Sequence, residues 1–484
     1  MMQTFDLLII GAGPGGYQAA SYAARNGLKV ALFEAARVGG TCLNEGCIPT
    51  KCYARHAELM LSLRDAELFG MHSLDYHFDF AQVVNRKNEV VQQLRQGIET
   101  LLSHPNITLV QAETQFVDAH TVTIAHASAT DTDTNVPDAV ASDPDADTTF
   151  TAPYIILATG SVPKTLRIAM PEGCVLDSSD LLETTHQPES LCIVGAGVIG
   201  MEFASIFSAF GTKVTVVEFL KECLPALDSD IAKRLRKVLE KRGVEFHMQC
   251  AVTGISRQDN GRKLVVFNDK KGREQTVEAD DVLMAVGRAP RVFSHFSRAG
   301  IDFDERNGVH VDAHFETNVR GIYAIGDCNG RQMLAHAAKA QARMVVDSML
   351  EAMGQKPQSS ASDAAQAPVA ALVPAAIFTN PEAACVGMSE DQLKAEGTAY
   401  ECRKAFYRAD GKALAMNESE GMLKLLSKPD AGRIVGCHAF GAHSADLIQE
   451  ASVLMARQTT VAQLRQMIHI HPTLSEILLE AGQL

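Results

Sequence analysis

The glycine pattern G-x-G-x-x-G occurs twice in the chain, and it constrains the fold more than any other feature. Its first copy runs from Gly11 to Gly16, after the apolar run Leu7–Ile10 and before a segment with helical character. Glu34 follows 18 residues after Gly16, at the end of a second apolar run. A strand, a glycine turn, a helix and an acid about 20 residues on are typical of a dinucleotide-binding unit. A plain glycine-rich turn is the alternative.

The second copy runs from Gly195 to Gly200, and Glu218 again follows 18 residues after its last glycine. In such a unit the glycines let the backbone approach a pyrophosphate at the N-terminus of the helix. The acid accepts a hydrogen bond from a free ribose 2′-hydroxyl and repels a 2′-phosphate, so Glu218 favours NAD over NADP. The two copies therefore predict two bound dinucleotides.

Length and charge narrow the class of protein. At 484 residues the chain is too long for one hydrophobic core, and we expect about two to four domains. A net charge of −14 argues against nucleic acid or an anionic membrane as a partner. No apolar run reaches the ~20 residues of a membrane span, and the chain begins without a basic, cleavable leader. We expect a cytoplasmic protein without a bound metal.

A glycine-flanked stretch at 39–51 carries two cysteines, Cys42 and Cys47, five positions apart. Five residues of regular helix rise about 7.5 Å, whereas a disulfide needs its Cα atoms within roughly 6.8 Å. A bridge therefore requires an irregular backbone, which Gly46 and Pro49 allow. A constrained bridge is easily reduced, as a catalytic disulfide should be. Two buried cysteines that never pair are the alternative, and their spacing leaves both open.

Coarse patterns divide the rest of the N-terminal half. Helical periodicity appears at 53–63 and 80–102, and we expect 107–110 and 121–124 to be strands of a small antiparallel piece. Residues 126–149 are rich in Ser, Thr, Ala, Asp and Pro, which predicts an acidic loop that cannot bury a core.

Further apolar runs predict buried strands at 154–161, 282–288 and 321–327, the last ending on Asp327 at a turn. A helix is predicted from 334 to about 353, and the low-complexity tract 354–372 is interpreted as a linker. Beyond it, runs near 381–383, 421–426 and 434–440 predict an antiparallel sheet. Helices at 444–457 and 461–467 follow.

The C-terminal end carries a second chemical signal, in which His471 is followed five residues later by Glu476. Histidine titrates near neutral pH and can accept a thiol proton, and a carboxylate can fix its tautomer. Two alternatives remain open. Thr473 and Glu476 have the spacing of a helix capping box, and His469 and His471 are equally consistent with plain surface residues.

Together these motifs resemble those of the pyridine nucleotide–disulfide oxidoreductases, and within them the dihydrolipoyl dehydrogenases. The resemblance rests on G-G-T-C-L-N-x-G-C-I-P-x-K at 39–51 and H-P-T-L-S-E at 471–476. Between them, the turns at 158–160, 195–200, 285–288 and 324–327 follow the family's order.

The resemblance implies an α/β fold with two Rossmann-like dinucleotide-binding domains and an α+β C-terminal dimerisation domain. The implied segments are an FAD-binding domain with the redox disulfide at 1–187, an NAD-binding domain at 188–287, a central segment completing the FAD site at 288–353, the linker 354–372, and the dimerisation domain at 373–484.

The resemblance also implies the site residues. Cys42 is then the interchange thiol and Cys47 the thiol facing the flavin, with His471 as base and Glu476 as its orienting group. Lys51 and Glu202 match positions of an ion pair beside the flavin. The implied FAD contacts are Gly11, Gly13, Gly16, Glu34, Thr41, Lys51, Thr159, Gly160, Asp327 and Ala335. The implied NAD contacts are Gly195, Gly197, Gly200, Glu202, Glu218 and Gly287.

The implied activity is FAD-dependent oxidation of dihydrolipoamide to lipoamide with reduction of NAD⁺. The implied partners are a second copy of the chain and the lipoyl-carrying proteins of 2-oxo acid dehydrogenase complexes or a glycine cleavage system. The competing interpretations are a glutathione reductase-like enzyme acting on another disulfide and a non-catalytic, redox-linked flavoprotein.

Some residues depart from the pattern of the family. Glu45 lies where a small apolar residue is expected, Thr50 where serine is expected, and Cys52 is an extra thiol after Lys51. The helix after His336 lacks the usual acidic run. None of these positions has an assigned chemical role, although Glu45 lies between the two cysteines.

Overall fold

The structure is a computed structural model that describes residues 1–125, 148–356, 372–430 and 432–484. The acidic loop predicted at 126–149 lies outside the described residues except for 148–149. The linker predicted at 354–372 lies outside them except for 354–356 and 372. Within the described residues, no helix is both long enough and apolar enough to cross a membrane.

The elements are numbered in chain order. The strands of the N-terminal half are β1 Met2–Thr4, β2 Leu7–Ile10, β3 Val30–Glu34, β4 Ile107–Gln111, β5 Thr114–Asp118, β6 Thr121–Ile124, β7 Thr149–Thr151, β8 Tyr154–Leu157, β9 Ser161–Pro163, β10 Ser190–Val194, β11 Lys213–Glu218 and β12 Glu245–Met248. The later strands are β13 Ala251–Arg257, β14 Lys263–Asn268, β15 Glu274–Ala279, β16 Asp281–Met284, β17 Arg288–Pro290, β18 Phe303–Asp304, β19 Gly308–Val309, β20 Ile322–Ala324, β21 Ala375–Ile377, β22 Glu382–Gly387, β23 Glu401–Phe406, β24 Met422–Ser427 and β25 Ile434–Gly441.

The α-helices are α1 Pro14–Arg25, α2 Gly40–Asn44, α3 Cys47–Arg64, α4 Phe80–Leu102, α5 Ser178–Glu183, α6 Val198–Phe210, α7 Ser229–Lys241, α8 Ala335–Ala352, α9 Glu390–Ala395, α10 Gly411–Ala415, α11 Ser444–Ala456, α12 Val461–Leu464 and α13 Glu476–Gln483.

The chain divides into two compact units, and the first comprises Met1–Pro49, Asn88–Pro163 and Arg288–Asp363. Its centre is a five-stranded parallel sheet in the order β20-β8-β2-β3-β4. The middle strand β2 is fully buried and leads into the first glycine turn. This is the open, parallel arrangement in which ligands bind at the carboxyl ends of the strands.

The pairing predicted for the strand at 107–110 is wrong. The run at 107–110 is expected to join a small antiparallel piece, but β4 pairs in parallel with β3 at the edge of the main sheet. The cause is its connection, because the 23-residue helix α4 precedes it and provides the crossover that parallel pairing needs. The prediction for 121–124 is confirmed, since β6 pairs antiparallel with β5 and β7.

The second unit comprises Thr50–Lys87, Lys164–Gly287 and Ala364–Leu484. It holds another parallel sheet, in the order β12-β11-β10-β16, next in sequence to the antiparallel sheet β13-β14-β15. Both parallel sheets that the glycine pattern predicts are therefore present.

The C-terminal part of the second unit is built on a five-stranded antiparallel sheet in the order β21-β22-β25-β24-β23. This confirms the antiparallel sheet predicted from the runs beyond 375. Helices α11 and α13 pack on it, and their apolar faces are buried with those of the strands in one core. The last helix directly follows the segment that contains the histidine motif.

Candidate active site

The first glycine turn is shaped for a close approach of chain and ligand. Gly11 has a φ of +103°, and a Cβ at this position would lie 2.3 Å from the carbonyl oxygen of Ala158. A Cβ on Gly16 would lie 1.8 Å from the carbonyl oxygen of Gly11. Both positions therefore exclude any side chain. The glycines bring the start of α1 against the carboxyl ends of β2 and β8, where a pyrophosphate can accept from free N–H groups.

Glu34 closes this turn from the end of β3. Its carboxylate accepts hydrogen bonds from the backbone N–H groups of Ala12, at 2.7 Å, and Ala36, at 2.9 Å. Burial raises the pKa of Glu34, while these N–H groups and Arg291 act in the opposite direction. The cradle of glycines beside a buried carboxylate fits the nucleotide half of FAD.

The second glycine turn repeats the first almost contact for contact. Gly195 has a φ of +105°, and a Cβ there would lie 2.5 Å from the carbonyl oxygen of Ala285. The carboxylate of Glu218 accepts from the N–H groups of Ala196 and, at 2.6 Å, Leu220. This turn fits a second dinucleotide, with the acid placed at the end of β11.

The remaining predicted cofactor residues lie at turns and helix starts. Gly13 and Gly197 are the N-caps of α1 and α6, and Ala335 is the first residue of α8. Gly160 and Gly287 both have positive φ, at +79° and +103°. The hydroxyl of Thr159 donates to the carbonyl oxygen of Arg291 at 2.7 Å, so it is already engaged within the first unit.

Asp327 lies after β20 and belongs to a chain of polar contacts. The hydroxyl of Ser161 donates to its carboxylate at 2.6 Å, and Nε of Arg288 donates to that hydroxyl oxygen at 2.7 Å. Burial raises the pKa of Asp327, opposed by Ser161 and Arg288. No sequence motif assigns Ser161 or Arg288 a role in these polar contacts. Both directly follow a glycine turn, which is the signal that would have found them.

The two cysteines lie on separate helical segments. Cys42 is on the five-residue helix α2, and Cys47 is the first residue of α3. Glu45 and Gly46 separate the helices, with Glu45 at φ −138° and ψ 7°. The irregular backbone expected between the cysteines is confirmed. Thr41 also lies on α2, and its carbonyl oxygen accepts the N–H of Glu45 at 2.9 Å.

In the second unit, Lys51 and Glu202 form the predicted ion pair. Nζ of Lys51 lies 3.1 and 3.2 Å from the two carboxylate oxygens of Glu202, which is only 5% exposed. The backbone N–H of Phe378 donates to the same carboxylate at 2.9 Å, and Nζ lies 4.2 Å from the centre of the Phe378 ring. Phe378 was not predicted, because a single aromatic residue directly after a strand carries no specific signal in the sequence.

His471 and Glu476 form a pair at the C-terminal end of the same unit. Nδ1 of His471 lies 3.0 Å from one carboxylate oxygen of Glu476 and 3.2 Å from the other. The same carboxylate accepts the backbone N–H of Thr473 at 2.9 Å. These contacts lower the pKa of Glu476, with the N–H of Thr473 first and His471 second. With Nδ1 held by Glu476, a proton acceptor role would fall to Nε2.

The structure tests the two alternatives for this segment, a helix capping box and plain surface histidines. The capping box does not form, because α13 begins at Glu476 with Ser475 as N-cap, and the Thr473 hydroxyl donates to the carbonyl oxygen of Ile470. Only the half of the box in which Glu476 accepts from Thr473 is present. His469 is not a surface residue, since its side chain is 6% exposed and Nε2 lies 2.8 Å from Glu450.

The segment around His471 is open and apolar. The side chain of His471 is 80% exposed, while Ile468 and Ile470 are 98% and 78% exposed. Large apolar side chains so exposed next to a polar group are typical of a surface that another protein covers.

Across the described part of the chain, no group of three or more His, Cys, Asp and Glu side chains could hold a metal ion.

Comparison with known proteins places the whole chain in one group. Residues 5–342 match the pyridine nucleotide-disulphide oxidoreductase family, and residues 373–481 match the dimerisation domain of the same family. The chain belongs to this family. The predicted fold class, two nucleotide-binding domains and a C-terminal dimerisation domain, is thereby confirmed.

Several oxidoreductases of this family are similar to the chain over nearly its whole length. The mitochondrial dihydrolipoyl dehydrogenase of Pisum sativum is 32% identical over 99% of this chain and 90% of its own length. Dihydrolipoyl dehydrogenase of Bacillus subtilis (strain 168) is 35% identical over 98% of this chain and 97% of its own.

A solved structure of another member is also similar. The Cu(II) complex of the HOCl-induced flavoprotein disulfide reductase RclA from Escherichia coli superposes with a TM-score of 0.83 and 29% identity, covering 100% of this chain and 99% of that one. The chain is therefore a flavoprotein disulfide oxidoreductase that uses FAD and a pyridine nucleotide. Its dimerisation domain indicates a homodimer.

Proposed function

We propose that the chain is a dihydrolipoyl dehydrogenase, which oxidises dihydrolipoamide to lipoamide and reduces NAD⁺ through a Cys42–Cys47 disulfide. The observation that carries the proposal is the pairing of the exposed His471 with Glu476 at 3.0 Å. A dithiol substrate must lose protons before it can reduce a disulfide, and an imidazole held through Nδ1 accepts them at Nε2. The whole-length similarity to several dihydrolipoyl dehydrogenases supports the same substrate.

The thiol chemistry proceeds in two exchanges. Nε2 of His471 takes the proton of one substrate thiol, and the thiolate attacks the sulfur of Cys42. The Cys42–Cys47 bond breaks and Cys47 leaves as a thiolate. The second substrate sulfur, deprotonated in turn, attacks the first and displaces Cys42. Lipoamide leaves, and the cysteine pair holds two more electrons than before.

Glu476 orients the base and balances its charge. The pKa of Glu476 is lowered by its hydrogen bonds, so it stays ionised across the neutral range and stabilises the imidazolium that forms. The carboxylate contacts both His471 and the backbone at Thr473, which fixes the ring relative to the chain.

The cofactors fit the two glycine turns. We assign FAD to the turn at Gly11 with Glu34 and Asp327, and NAD to the turn at Gly195 with Glu218. A bound FAD would supply the acceptor for the two electrons of the cysteine pair and the hydride transfer to NAD⁺. The buried Glu202 holds the Lys51 ammonium in one position, which we place beside the flavin.

Glu218 sets the choice of coenzyme in this proposal. Its carboxylate is 8% exposed and anchored by two backbone N–H groups, so it cannot turn away from the ribose. A 2′-phosphate would meet this negative charge, and such like-charge contacts cost several kcal/mol. The enzyme should therefore use NAD.

The homodimer completes the site. We propose that His471 of each subunit serves the cysteines of the other, as the resemblance implies, with Ile468 and Ile470 covered by the partner. The substrate is then presented by a separate lipoyl-carrying protein of a 2-oxo acid dehydrogenase complex or a glycine cleavage system.

A second candidate is an NAD(P)H-dependent reductase of another disulfide. The observation that favours it is the superposition on RclA over the entire chain at 29% identity. A reductase of this kind uses the same cysteine pair in the opposite direction, and only the identity of the substrate separates the two functions.

A panel of disulfides distinguishes the candidates. FAD-loaded protein is given NADH or NADPH together with lipoamide, glutathione disulfide or cystine, and coenzyme oxidation is followed at equal concentrations. The proposal predicts the fastest turnover with NADH and lipoamide, with NADPH at least about tenfold less efficient. Faster turnover with another disulfide would favour the second candidate.

A further inference from the structure

The side chain of Asn44 makes several hydrogen bonds close to the redox cysteines. It lies at the end of α2, two residues after Cys42, and is 9% exposed. Its amide nitrogen lies 3.0, 3.1 and 3.4 Å from the carbonyl oxygens of Gly40, Val38 and Arg37. The side chain thus ties α2 to the loop that enters it.

The amide oxygen of Asn44 faces a single guanidinium. Nη2 of Arg95 donates to it at 2.7 Å and Nε donates at 3.1 Å. Arg95 lies on the part of α4 that belongs to the first unit, so one arginine connects the short redox helix to a much longer helix of 23 residues. A two-pronged bond of this kind fixes orientation as well as distance.

Arg95 is committed to this contact. Burial and the nearby Arg37 lower its pKa, while Glu99 acts in the opposite direction. A guanidinium that is partly buried and lies near a second cation is stabilised by any hydrogen-bond acceptor it contacts. The oxygen of Asn44 accepts two N–H groups of this guanidinium.

The helix α2 needs such an anchor. It has five residues, far fewer than the ~12–15 at which an isolated helix becomes marginally stable, so its position depends on tertiary contacts. Because Cys42 lies on α2 and Cys47 begins α3, any movement of α2 changes the separation and angle of the two sulfurs. Disulfide strain and reducibility depend on that geometry.

We propose that Arg95 is a positioning residue for the redox pair, which acts through Asn44 to hold Cys42 in a constrained geometry relative to Cys47. The inference rests on the proposed redox role of these cysteines. Loss of the anchor lets α2 relax, so the disulfide becomes less strained and harder to reduce.

Four variants separate the parts of this contact. Arg95→Met removes the two-pronged donor and leaves the amide donors of Asn44 intact. Arg95→Lys keeps the charge but offers a single point of contact. Asn44→Asp keeps the acceptor for Arg95 and removes the donors to the loop. Arg306→Met removes an exposed charge elsewhere in the first unit and is the matched control.

The experiment measures the reduction potential of the Cys42–Cys47 pair in FAD-loaded protein. Each variant is equilibrated in dithiothreitol redox buffers, the thiols are alkylated, and the oxidised fraction is counted by mass spectrometry. We expect Arg95→Met to favour the disulfide by about tenfold, a fall of about 30 mV, with Arg95→Lys between it and the wild type. Asn44→Asp should shift the potential in the same direction, and Arg306→Met should not shift it.

The outcomes are decisive. An unchanged potential in Arg95→Met, or an equal shift in Arg306→Met, would overturn the inference. If Arg95→Met does not fold or retain FAD, Arg95→Lys decides in the same way. A wild-type pair without any reversible potential would instead defeat the proposed function, which is a different result from an unaltered potential in the variants.

Discussion

At the scale of single residues, the site depends on carboxylates that hold another group in place. Glu476 fixes the ring of His471, and Glu202 fixes the ammonium of Lys51. Glu34 and Glu218 each accept a backbone N–H from the glycine turn that they close. Glu476 and Glu202 are more buried than the side chains that they hold. Glu34 and Glu218 are themselves held by backbone N–H groups.

Substitutions can distinguish the role of the Cys42–Cys47 pair from that of the extra thiol, Cys52. Cys47→Ser should still bind FAD, because the nucleotide cradle does not use this thiol, but it should lose thiol turnover by about a thousandfold or more. Flavin absorbance after desalting and the rate with dihydrolipoamide measure the two properties.

Cys52→Ser is the matched control for that variant. Cys52 lies five residues further along α3, and burial raises the pKa of its thiol, opposed by Arg86 and Lys87. It is therefore a poor nucleophile at neutral pH, and its loss should change turnover less than twofold. Full turnover in Cys47→Ser would contradict the mechanism.

At the scale of elements, a buried ion network joins three parts of the second unit. Lys424 on β24 is 1% exposed, and its Nζ lies 2.6 Å from Asp228 and 2.8 Å from Glu390. Asp228 is the N-cap of α7, and Glu390 is the first residue of α9. One ammonium thus holds the starts of two helices to the middle of a strand.

Substitution of Lys424 should be costly. Lys424→Met leaves the fully buried Asp228 without its cation, which typically destabilises a protein by about 3–5 kcal/mol. Urea unfolding at neutral pH measures the loss. Lys394→Met is the matched control, since Lys394 contacts the same Glu390 but is 59% exposed, and it should cost less than about 1 kcal/mol. Equal losses would contradict the role given to burial.

The same network predicts a dependence on pH. Burial alone would raise the pKa of Glu390, but hydrogen bonds from Lys394, Lys424 and Tyr400 lower it to about 2. An acid whose folded pKa is lowered stabilises the fold above its ordinary value of 4.5, and that contribution is lost as the pH falls towards 2. Lys424→Met should show a shallower loss over this range in urea unfolding.

The sequence predicts an element well where its local pattern decides its pairing, and poorly where the pairing depends on a distant connection. The strand β2 and the glycine turn after it follow from their residues, whereas β4 was misassigned because pairing depends on a distant crossover. The burial of Lys424 could not be predicted, since a lysine within a strand normally faces solvent. Arg95 is 51 residues from Asn44, so no local pattern connects them.

At the scale of the whole molecule, the residues of the candidate site could be named from the sequence because they lie in two short motifs at opposite ends of the chain. The segment at 467–471 is where we expect the second subunit to matter. It carries the exposed Ile468 and Ile470 just before His471, and the dimerisation domain indicates a partner subunit that we expect to cover them.

Complementation between inactive variants tests this exchange of residues. In a heterodimer of His471→Gln and Cys47→Ser, one site combines intact cysteines with an intact histidine from the partner. Random mixing gives half heterodimers, each with one site of two, so activity should recover to about a quarter of the wild type. Subunits are exchanged under mild denaturant and assayed with dihydrolipoamide. No recovery, with exchange shown by mass spectrometry, would mean that each histidine serves its own subunit.

The most direct test of the central claim is NAD⁺ reduction by dihydrolipoamide with purified, FAD-loaded homodimer. NADPH with glutathione disulfide serves as the control reaction. The account predicts rapid formation of NADH, at tens of turnovers per second or more on the scale of ordinary enzymes, and no activity in the control. A folded, yellow protein that forms no NADH from dihydrolipoamide would contradict it.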